Sequence, residues 1–235
     1  MNIENHPTVI QNACVIIPTY NEEQTVGDIV RKTKQYVDTV YILDDCSEDR
    51  TREIAKQNGA QVISNQVNVG IGLNLQIGYD LAINNGFDYV IQLDGDGQHN
   101  PDFIPALFEK LNNNHCDMVI GSRFLNDSHK DYPFVRRVGI SFFSFITRLI
   151  THIKITDVTS GYRIFKVDSL KTLNKITENH WAFEQTLEAG KKRLIIREIS
   201  IPMPVRANGQ SQFHLKRYVL YPFKMIKVIT KVIIR

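Results

Sequence analysis

The sequence lacks the patterns that mark a chain as secreted, disulfide-bonded or membrane-spanning. Its 235 residues include only three cysteines, with no CxxC pair among them: Cys14, Cys46 and Cys116. Cysteines so few and so placed are typical of reduced core residues in a cytoplasmic protein. Residues 1–12 lack the apolar centre of a signal peptide, and no run of about 18 apolar residues occurs in the chain. We therefore expect a cytoplasmic protein that does not cross a membrane by itself.

Two nucleotide-binding signatures are also missing. Gly70 and Gly72 are not followed by a third glycine at position 75, and they come after a loop rather than a strand, which argues against a nicotinamide-dinucleotide site. The chain has no G-K-[ST] sequence of a P-loop, and its net charge of +3 is too small to predict a nucleic-acid partner. What remains is a chain with 43% hydrophobic residues, which is long enough for one large α/β domain.

Short apolar runs alternate with helical patterns in the first half of the chain. The runs that predict buried strands are residues 13–17, 39–43, 61–64, 87–93 and 117–120. Helices are predicted between them, the second ending at Gly59 as a C-terminal cap and the fourth beginning at Pro101. Repeated βαβ units of this spacing predict an α/β fold with a Rossmann-like, mostly parallel sheet and helices on both faces.

Three of the predicted strands end in polar or acidic residues. These ends are residues 18–22, Asp44 with Asp45, and residues 94–98. A single Asp-Gly-Asp triplet is more often a turn than a site. Ligands of such sheets bind where the carboxyl ends of the strands meet, however, so three polar ends together favour a site. The carboxylates of Asp94 and Asp96 are hard oxygen ligands that suit Mg²⁺ or Mn²⁺ shared with substrate phosphates.

A series of short motifs follows the same order along the chain. The sequence reads VIIPTYNEE at 15–23, LDDCS at 43–47, NVG at 68–70, LDGDGQH at 93–99, GSR at 121–123, DVTSGYR at 157–163, FE at 183–184, REISI at 197–201 and RANGQS at 206–211. Together these motifs resemble those of family 2 inverting glycosyltransferases of the GT-A fold. Within that family the chain is most similar to dolichyl- or polyprenyl-phosphate sugar synthases. The resemblance covers almost the whole chain.

The resemblance implies a role for each motif. Nucleotide-sugar binding is implied for eight residues: Pro18, Tyr20, Glu22, Asp44, Asp45, Gly70, Asp94 and Gly95. Asp94, Asp96 and Gln98 would hold Mg²⁺ or Mn²⁺, with Asp96 the direct ligand. Phosphate or acceptor binding is implied for Arg123, Arg163, Arg206 and Ser211, and catalysis for Asp96, Glu184 and Arg206.

The sequence bears on the acceptor through Glu184. A sugar hydroxyl needs a general base, whereas a lipid phosphate is already anionic near neutral pH. Members of the family that elongate glycans commonly carry a Glu-Asp pair in this region, but here Gln185 follows Glu184. That departure favours polyprenyl phosphate, although Glu184 alone could serve as base or orient the acceptor. Gln212 departs in turn from the lysine that many lipid-phosphate synthases carry.

Two other functions stay open at this point. One keeps the nucleotide-sugar donor and transfers the sugar to a lipid-linked or surface glycan. The other is a non-catalytic nucleotide-sugar-binding membrane adaptor, against which the intact Asp94 and Asp96 pair argues.

The C-terminal segment predicts attachment to a membrane surface. We expect residues 1–211 to form the catalytic domain and residues 212–235 a basic amphipathic tail. Four cations of that tail fall on one helical face: Lys224, Lys227, Lys231 and Arg235. Such a helix suits an anionic membrane surface, or it packs on the domain or on a small membrane partner protein. The apolar segment 138–150, which basic residues flank, bears on the same question. We predict a peripheral protein at the inner face of the cell membrane.

Overall fold

The computed structural model describes residues 9–176, 180–204 and 215–234, with side chains of the last segment from Met225 onward. The strands are β1 (Ala13–Thr19), β2 (Thr39–Asp44), β3 (Gln61–Ser64), β4 (Tyr89–Gln92), β5 (Met118–Ser122), β6 (Arg163–Lys166) and β7 (Ile196–Ser200). The helices are α1 (Val26–Thr33), α2 (Thr51–Gln57), α3 (Ile71–Asn84), α4 (Ile104–Asn113), α5 (Phe134–Thr151), α6 (Val167–Lys171), α7 (Trp181–Lys191) and α8 (Leu215–Ile234). Short 3₁₀ helices span Pro101–Phe103 and Asp127–Asp131.

The described strands form one sheet in the order β3-β2-β1-β4-β6-β5-β7. All neighbouring pairs are parallel except those of β6, which runs antiparallel to both β4 and β5. The predicted mostly parallel sheet is therefore confirmed, and all five predicted strands are present. The strands β6 and β7 are additional to that prediction.

The sheet is covered on both faces because successive side chains of a strand point to opposite sides. In β1, Cys14 and Ile16 join one hydrophobic cluster with residues of α3, such as Leu75. Val15 and Ile17 join a second cluster with residues of α1 and α4. The continuous apolar run of β1 is thus explained by a strand with no solvent-facing side. Helices on both faces, as predicted, follow from the same pattern.

Two predicted helix ends agree with the structure. Gly59 follows α2 with φ of +88°, and its N–H donates to the carbonyl of Lys56, as a C-terminal cap requires. Pro101 begins the 3₁₀ turn that leads into α4, where its missing N–H costs nothing. The second helix begins at Thr51, and Ser47 and Asp49 before it accept hydrogen bonds from the neighbouring loop.

The C-terminal helix α8 packs on the body of the protein. Its side chains Met225, Val228 and Val232 are buried and belong to the same hydrophobic cluster as α7. The Nζ of Lys191, at the end of α7, donates to the carbonyls of Val232 and Ile233 at 2.8 Å each. The predicted domain boundary at 211/212 lies outside the described residues. Among the described helices, none combines the length and apolar character needed to span a membrane.

Candidate active site

The loops that follow β1 and β2 are fastened to each other by hydrogen bonds. The N–H of Asn21 donates to Ser47 Oγ at 2.9 Å, and the N–H of Glu22 donates to Thr51 Oγ1 at 2.7 Å. Tyr20, which directly follows β1 at the carboxyl edge of the sheet, is 43% exposed. The two loops therefore form one polar rim, with an aromatic ring available on it.

Asp44 and Asp45 lie inside this rim. The carboxylate of Asp45 accepts from the N–H groups of Val69 and Gly70 at 2.8 and 2.9 Å, so it fixes the start of α3. Gly70 has φ of +85°, a conformation that suits glycine. Asp44 is fully buried, with one oxygen 3.7 Å from Arg52 Nε. Both carboxylates shape the loops in this structure, and their contact with a base or ribose stays a prediction.

The acidic loop after β4 lies directly against the end of β1. A Cβ on Gly95 would stand 2.6 Å from Thr19 Cγ2 and 3.2 Å from the carbonyl oxygen of Pro18, so only glycine fits there. The hydroxyl of Thr25 donates to the carbonyl of Gly95 at 2.6 Å. The structure thus brings Pro18 and Gly95 together, and their contact with a nucleotide-sugar stays a prediction.

Asp94 and Asp96 occupy a tight turn at the edge of the sheet. Asp96 Oδ1 accepts from the N–H of Gln98 at 3.0 Å, which closes the turn. Asp94 keeps 31% of its side chain exposed. Behind it, a Cβ on Gly161 would be only 3.1 Å from both carboxylate oxygens. The Asp-Gly-Asp triplet therefore forms a turn and also presents two partly exposed carboxylates. The interpretation as a turn and the prediction of a cation site are thus compatible.

His99 supports this turn through a hydrogen bond to its backbone. The N–H of Asp94 donates to His99 Nδ1 at 2.9 Å, and the ring stacks on Tyr162 with centroids 5.1 Å apart. Burial lowers the pKa of His99 to about 4, against the opposing effect of the Asp96 charge. The imidazole is thus neutral at physiological pH, with its proton on Nε2, because Nδ1 accepts.

Gln98 is oriented by groups that the sequence did not reveal. Its Nε2 donates to the carbonyl of Pro204 at 2.7 Å and to the hydroxyl of Tyr132 at 3.3 Å. Tyr132 in turn donates to the carbonyl of Met203 at 3.2 Å. The amide oxygen is therefore the atom through which Gln98 would bind a cation. A lone tyrosine in a loop carries no sequence signal for such a role.

The donor set fits a divalent cation that is completed by a ligand. Within the described part of the chain, no three His, Cys, Asp or Glu side chains cluster as a protein-only metal cage. Two carboxylates and an amide oxygen suit Mg²⁺ or Mn²⁺, because such a cation usually keeps positions for substrate phosphates and water. The residues that would hold it are those predicted, Asp94, Asp96 and Gln98.

Arg123 is held by an internal ion pair. Its Nε and Nη2 donate to the two carboxylate oxygens of Asp157 at 2.7 and 2.8 Å, and Nη2 also donates to Thr159 Oγ1. Burial opposes the charge on Arg123, but the Asp157 carboxylate outweighs it and raises the pKa of the guanidinium. The side chain is 6% exposed and lies over the ring of Tyr132. Its predicted phosphate contact stays a prediction, while its support of the site is visible.

Arg163 is held in the interior by neighbouring carbonyl groups, and the phosphate contact predicted for it stays a prediction. It lies on β6, between two other strands, and is fully buried. Its Nε donates to the carbonyl of Ser160 at 2.7 Å, Nη2 to that of Ala182 at 2.9 Å and Nη1 to Gln185 Oε1 at 3.2 Å. Burial lowers its pKa to about 10. Arg163 therefore joins the loop before β6 to α7.

Glu184 is also an interior residue. It lies in the first turn of α7, is 2% exposed and stands 2.8 Å from Lys231 Nζ of α8. Lys231, one of the four cations of the basic face predicted for the tail, has a 20% exposed side chain that turns inward to this carboxylate. The catalytic role of Glu184 stays a prediction. Arg206 and Ser211 lie outside the described residues.

The fold and this edge define an α/β protein with an acidic turn at the carboxyl edge of its sheet. Residues 14–173 match the family described as glycosyl transferase family 2. The chain belongs to that family.

Curated relatives share much of the chain. An uncharacterized protein of Methanocaldococcus jannaschii is 34% identical, and the match covers 68% of this chain and 66% of that protein. The UDP-N-acetylglucosamine–dolichyl-phosphate N-acetylglucosaminyltransferase of Methanococcus voltae is 31% identical over 80% of this chain and 83% of its own. The undecaprenyl-phosphate mannosyltransferase of Micrococcus luteus is 28% identical, with coverage of 80% and 81%.

A solved structure shares the fold. Glucosyl-3-phosphoglycerate synthase from Mycobacterium tuberculosis, crystallised with Mn²⁺, UDP and glucosyl-3-phosphoglycerate, superposes with a TM-score of 0.72. The sequence identity is 20%, and the match covers 94% of this chain and 79% of the other. The same enzyme was also crystallised with Mg²⁺ and UDP. The predicted GT-A fold is thereby confirmed.

Proposed function

We propose that this protein transfers a sugar, with inversion, from a nucleotide-diphosphate donor to a polyprenyl phosphate. The observation that carries the proposal is the acidic turn of Asp94 and Asp96, built against the end of β1 at the carboxyl edge of the sheet. Membership of glycosyl transferase family 2 supports the donor. The names of relatives that act on dolichyl and undecaprenyl phosphate support the acceptor.

The donor half of the site is built from the rim and the acidic turn. Tyr20 offers an exposed ring on which a base can stack, and Pro18 lies beside Gly95 where base and diphosphate would meet. Asp94, Asp96 and Gln98 would hold Mg²⁺ or Mn²⁺, whose positive charge would offset the negative charge of the leaving diphosphate. The hydrogen bonds that Thr25 and His99 make to Gly95 and Asp94 hold the turn in place without a bound donor.

The acceptor half favours a nucleophile that needs no base. In the transfer, an oxygen of the acceptor phosphate forms a bond to the anomeric carbon while the bond from that carbon to the diphosphate oxygen breaks. The electron pair leaves with the nucleoside diphosphate, and no proton has to be removed. Glu184, the candidate base, is buried against Lys231. A sugar hydroxyl would need this carboxylate as its base, whereas an acceptor phosphate would not. The burial and pairing of Glu184 therefore favour the phosphate acceptor.

The second candidate is transfer of the same sugar to a lipid-linked or surface glycan. It keeps the whole donor site and differs only in the acceptor. The distant adaptor hypothesis is disfavoured because the relatives that are named by an activity are sugar transferases. The location that goes with the proposal is the inner face of the cell membrane, where a small membrane partner protein is a further expectation.

A radiolabel assay separates the candidate acceptors. The full-length protein is incubated with each of a panel of labelled nucleotide-sugars, with either polyprenyl phosphate or a lipid-linked glycan added in detergent. The proposal predicts label in the organic phase with polyprenyl phosphate, released again by mild acid as expected of a sugar phosphodiester. Transfer only to the glycan would replace the proposal with the second candidate, and transfer to neither would overturn both.

A further inference from the structure

The helix α5 carries a stripe of large apolar side chains that face solvent. Each is between 50% and 69% exposed, and the six are Phe134, Val135, Val138, Phe142, Phe145 and Leu149. At about 100° of rotation per residue, these positions fall within one arc roughly 100° wide. We call this set the α5 stripe. Its side chains together expose on the order of 500 Å² of apolar surface, near the upper end for a monomeric protein.

The core does not need the α5 stripe. The opposite side of the same helix supplies the buried contacts, through Ile140, Phe143 and Thr147. Phe143 packs edge-on against Phe183 of α7, with ring centroids 5.5 Å apart. A helix that is apolar toward the core needs a polar outer face when that face meets only water. The α5 stripe is therefore a surface for contact with something else.

The charge around the α5 stripe indicates what that contact is. Residues 132–156 contain no Asp or Glu and four cations: Arg136, Arg137, Arg148 and Lys154. Arg148 and Lys154 are exposed. Phenylalanine and leucine on one face, with arginine and lysine at its margins, are typical of helices that lie in the interface of an anionic bilayer.

The part of the tail whose side chains the structure describes exposes less apolar surface than the α5 stripe. The described part of α8 buries Met225, Val228 and Val232, and its Lys231 is paired with Glu184. Ile226, Ile233 and Ile234 remain exposed on it, at 56%, 50% and 80%. These three give the described part of the tail a smaller apolar surface than the six residues of the α5 stripe, and Ile226 and Ile233 provide a matched pair for comparison.

The α5 stripe also adjoins the candidate active site. A groove of about 580 Å³ lies between the stripe and the loop that precedes it, with Phe124 and His129 on the far wall and Arg137 among its lining residues. Tyr132, just before α5, contacts Gln98 beside the acidic turn. A surface on which the α5 stripe rests would therefore lie next to the place where the sugar is transferred.

We infer that the α5 stripe is the surface by which this protein docks on an anionic lipid bilayer. The phenylalanines enter the headgroup region, and the flanking arginines contact lipid phosphates. The inference deepens the proposed function, on which its purpose rests, because a prenyl chain has to be reached in a bilayer. Its test does not need turnover, so the two can fail separately.

The test is flotation of the full-length protein with vesicles. Vesicles of phosphatidylcholine with phosphatidylglycerol are compared with vesicles of phosphatidylcholine alone. The variant Phe142→Ser/Phe145→Ser removes two rings of the stripe, and Ile226→Ser/Ile233→Ser removes two exposed side chains of the tail. All four side chains are at least half exposed, so circular dichroism and urea midpoints should match the wild type.

We expect the wild type to float with anionic vesicles, the α5 variant to bind at least about tenfold more weakly and the tail variant to bind within about threefold of the wild type. Hydrogen exchange of the wild type should slow over α5 when anionic vesicles are added, a readout that needs no variant. The inference is overturned if no vesicles are bound, if the tail variant alone loses binding, or if exchange over α5 is unchanged. It is equally overturned if light scattering shows that the stripe joins two copies of the chain and vesicles leave that dimer intact.

Discussion

The ion pair of Arg123 and Asp157 gives a prediction that the structure makes quantitative. Both side chains are buried, at 6% and 0% exposed, and two hydrogen bonds of 2.7 and 2.8 Å join them. The substitution Asp157→Asn keeps the size of the side chain and removes its charge. It leaves the guanidinium in the interior without its counter-ion, which costs about 3–5 kcal/mol in comparable buried pairs.

The cost should be visible in both chemical and thermal unfolding. For a chain of this length, each kcal/mol lowers Tm by about 2–4 °C, so Asp157→Asn should lower it by roughly 6–20 °C. The matched control is Asp168→Asn, which makes the same chemical change at the surface. Asp168 pairs with Lys171, and its side chain is 92% exposed. That pair should contribute little to stability, because water and salt screen two charges so exposed. Urea midpoints followed by circular dichroism measure both, and equal losses for the two variants would refute the reasoning.

The same pair predicts how stability depends on acid. Burial alone would raise the pKa of Asp157, but the charge of Arg123 outweighs it and the pKa lies below its usual value. Below pH of about 4, the unfolded chain therefore binds a proton that the folded chain does not, so this contribution to stability is lost as pH falls. Urea midpoints between pH 5 and 3 should fall less steeply for Asp157→Asn. An identical slope for the two proteins would contradict the assignment.

Further predictions concern packing. Gly78→Ala should destabilise by about 1–3 kcal/mol, because the new Cβ would stand 2.6 Å from Leu43 Cδ1. Gly139→Ala meets nothing within 4 Å on α5 and should stabilise by up to about 1 kcal/mol. Lys231→Met should cost about 3 kcal/mol, because it takes the cation from the buried carboxylate of Glu184. Urea unfolding checks all three, and a Gly78 variant as stable as the Gly139 variant would show that α3 can shift away from β2.

The sheet and its acidic edge were predictable because local patterns determine them. Runs such as that of β1 are apolar throughout, since both faces of the strand are covered, and carboxylates at the ends of such runs meet at one edge. The strands β6 and β7 were missed because charged residues interrupt their short runs, Arg163 in the first and Arg197 in the second. In Arg163 the interruption is buried, which only the surrounding carbonyl groups explain.

The support of the site was less predictable because it joins residues that are distant in sequence. Nothing local in the sequence pairs Arg123 with Asp157 or Lys231 with Glu184, and each partner read alone suggests a ligand contact or a solvated charge. Tyr132 likewise gains its role only when the chain brings it to Gln98. For α5, the sequence showed an apolar segment but not that it has two apolar sides, one of which the core leaves exposed.

The most direct test of the account is the dependence of sugar transfer on the acidic turn. Transfer from a labelled nucleotide-sugar to polyprenyl phosphate is measured for the wild type, for Asp96→Asn and for the control Asp168→Asn, with Mg²⁺ or Mn²⁺ and with a chelator. The account predicts a loss of at least about a hundredfold for Asp96→Asn or with the chelator, and no loss for the control. Wild-type transfer by Asp96→Asn, or full activity with the chelator present, would contradict it.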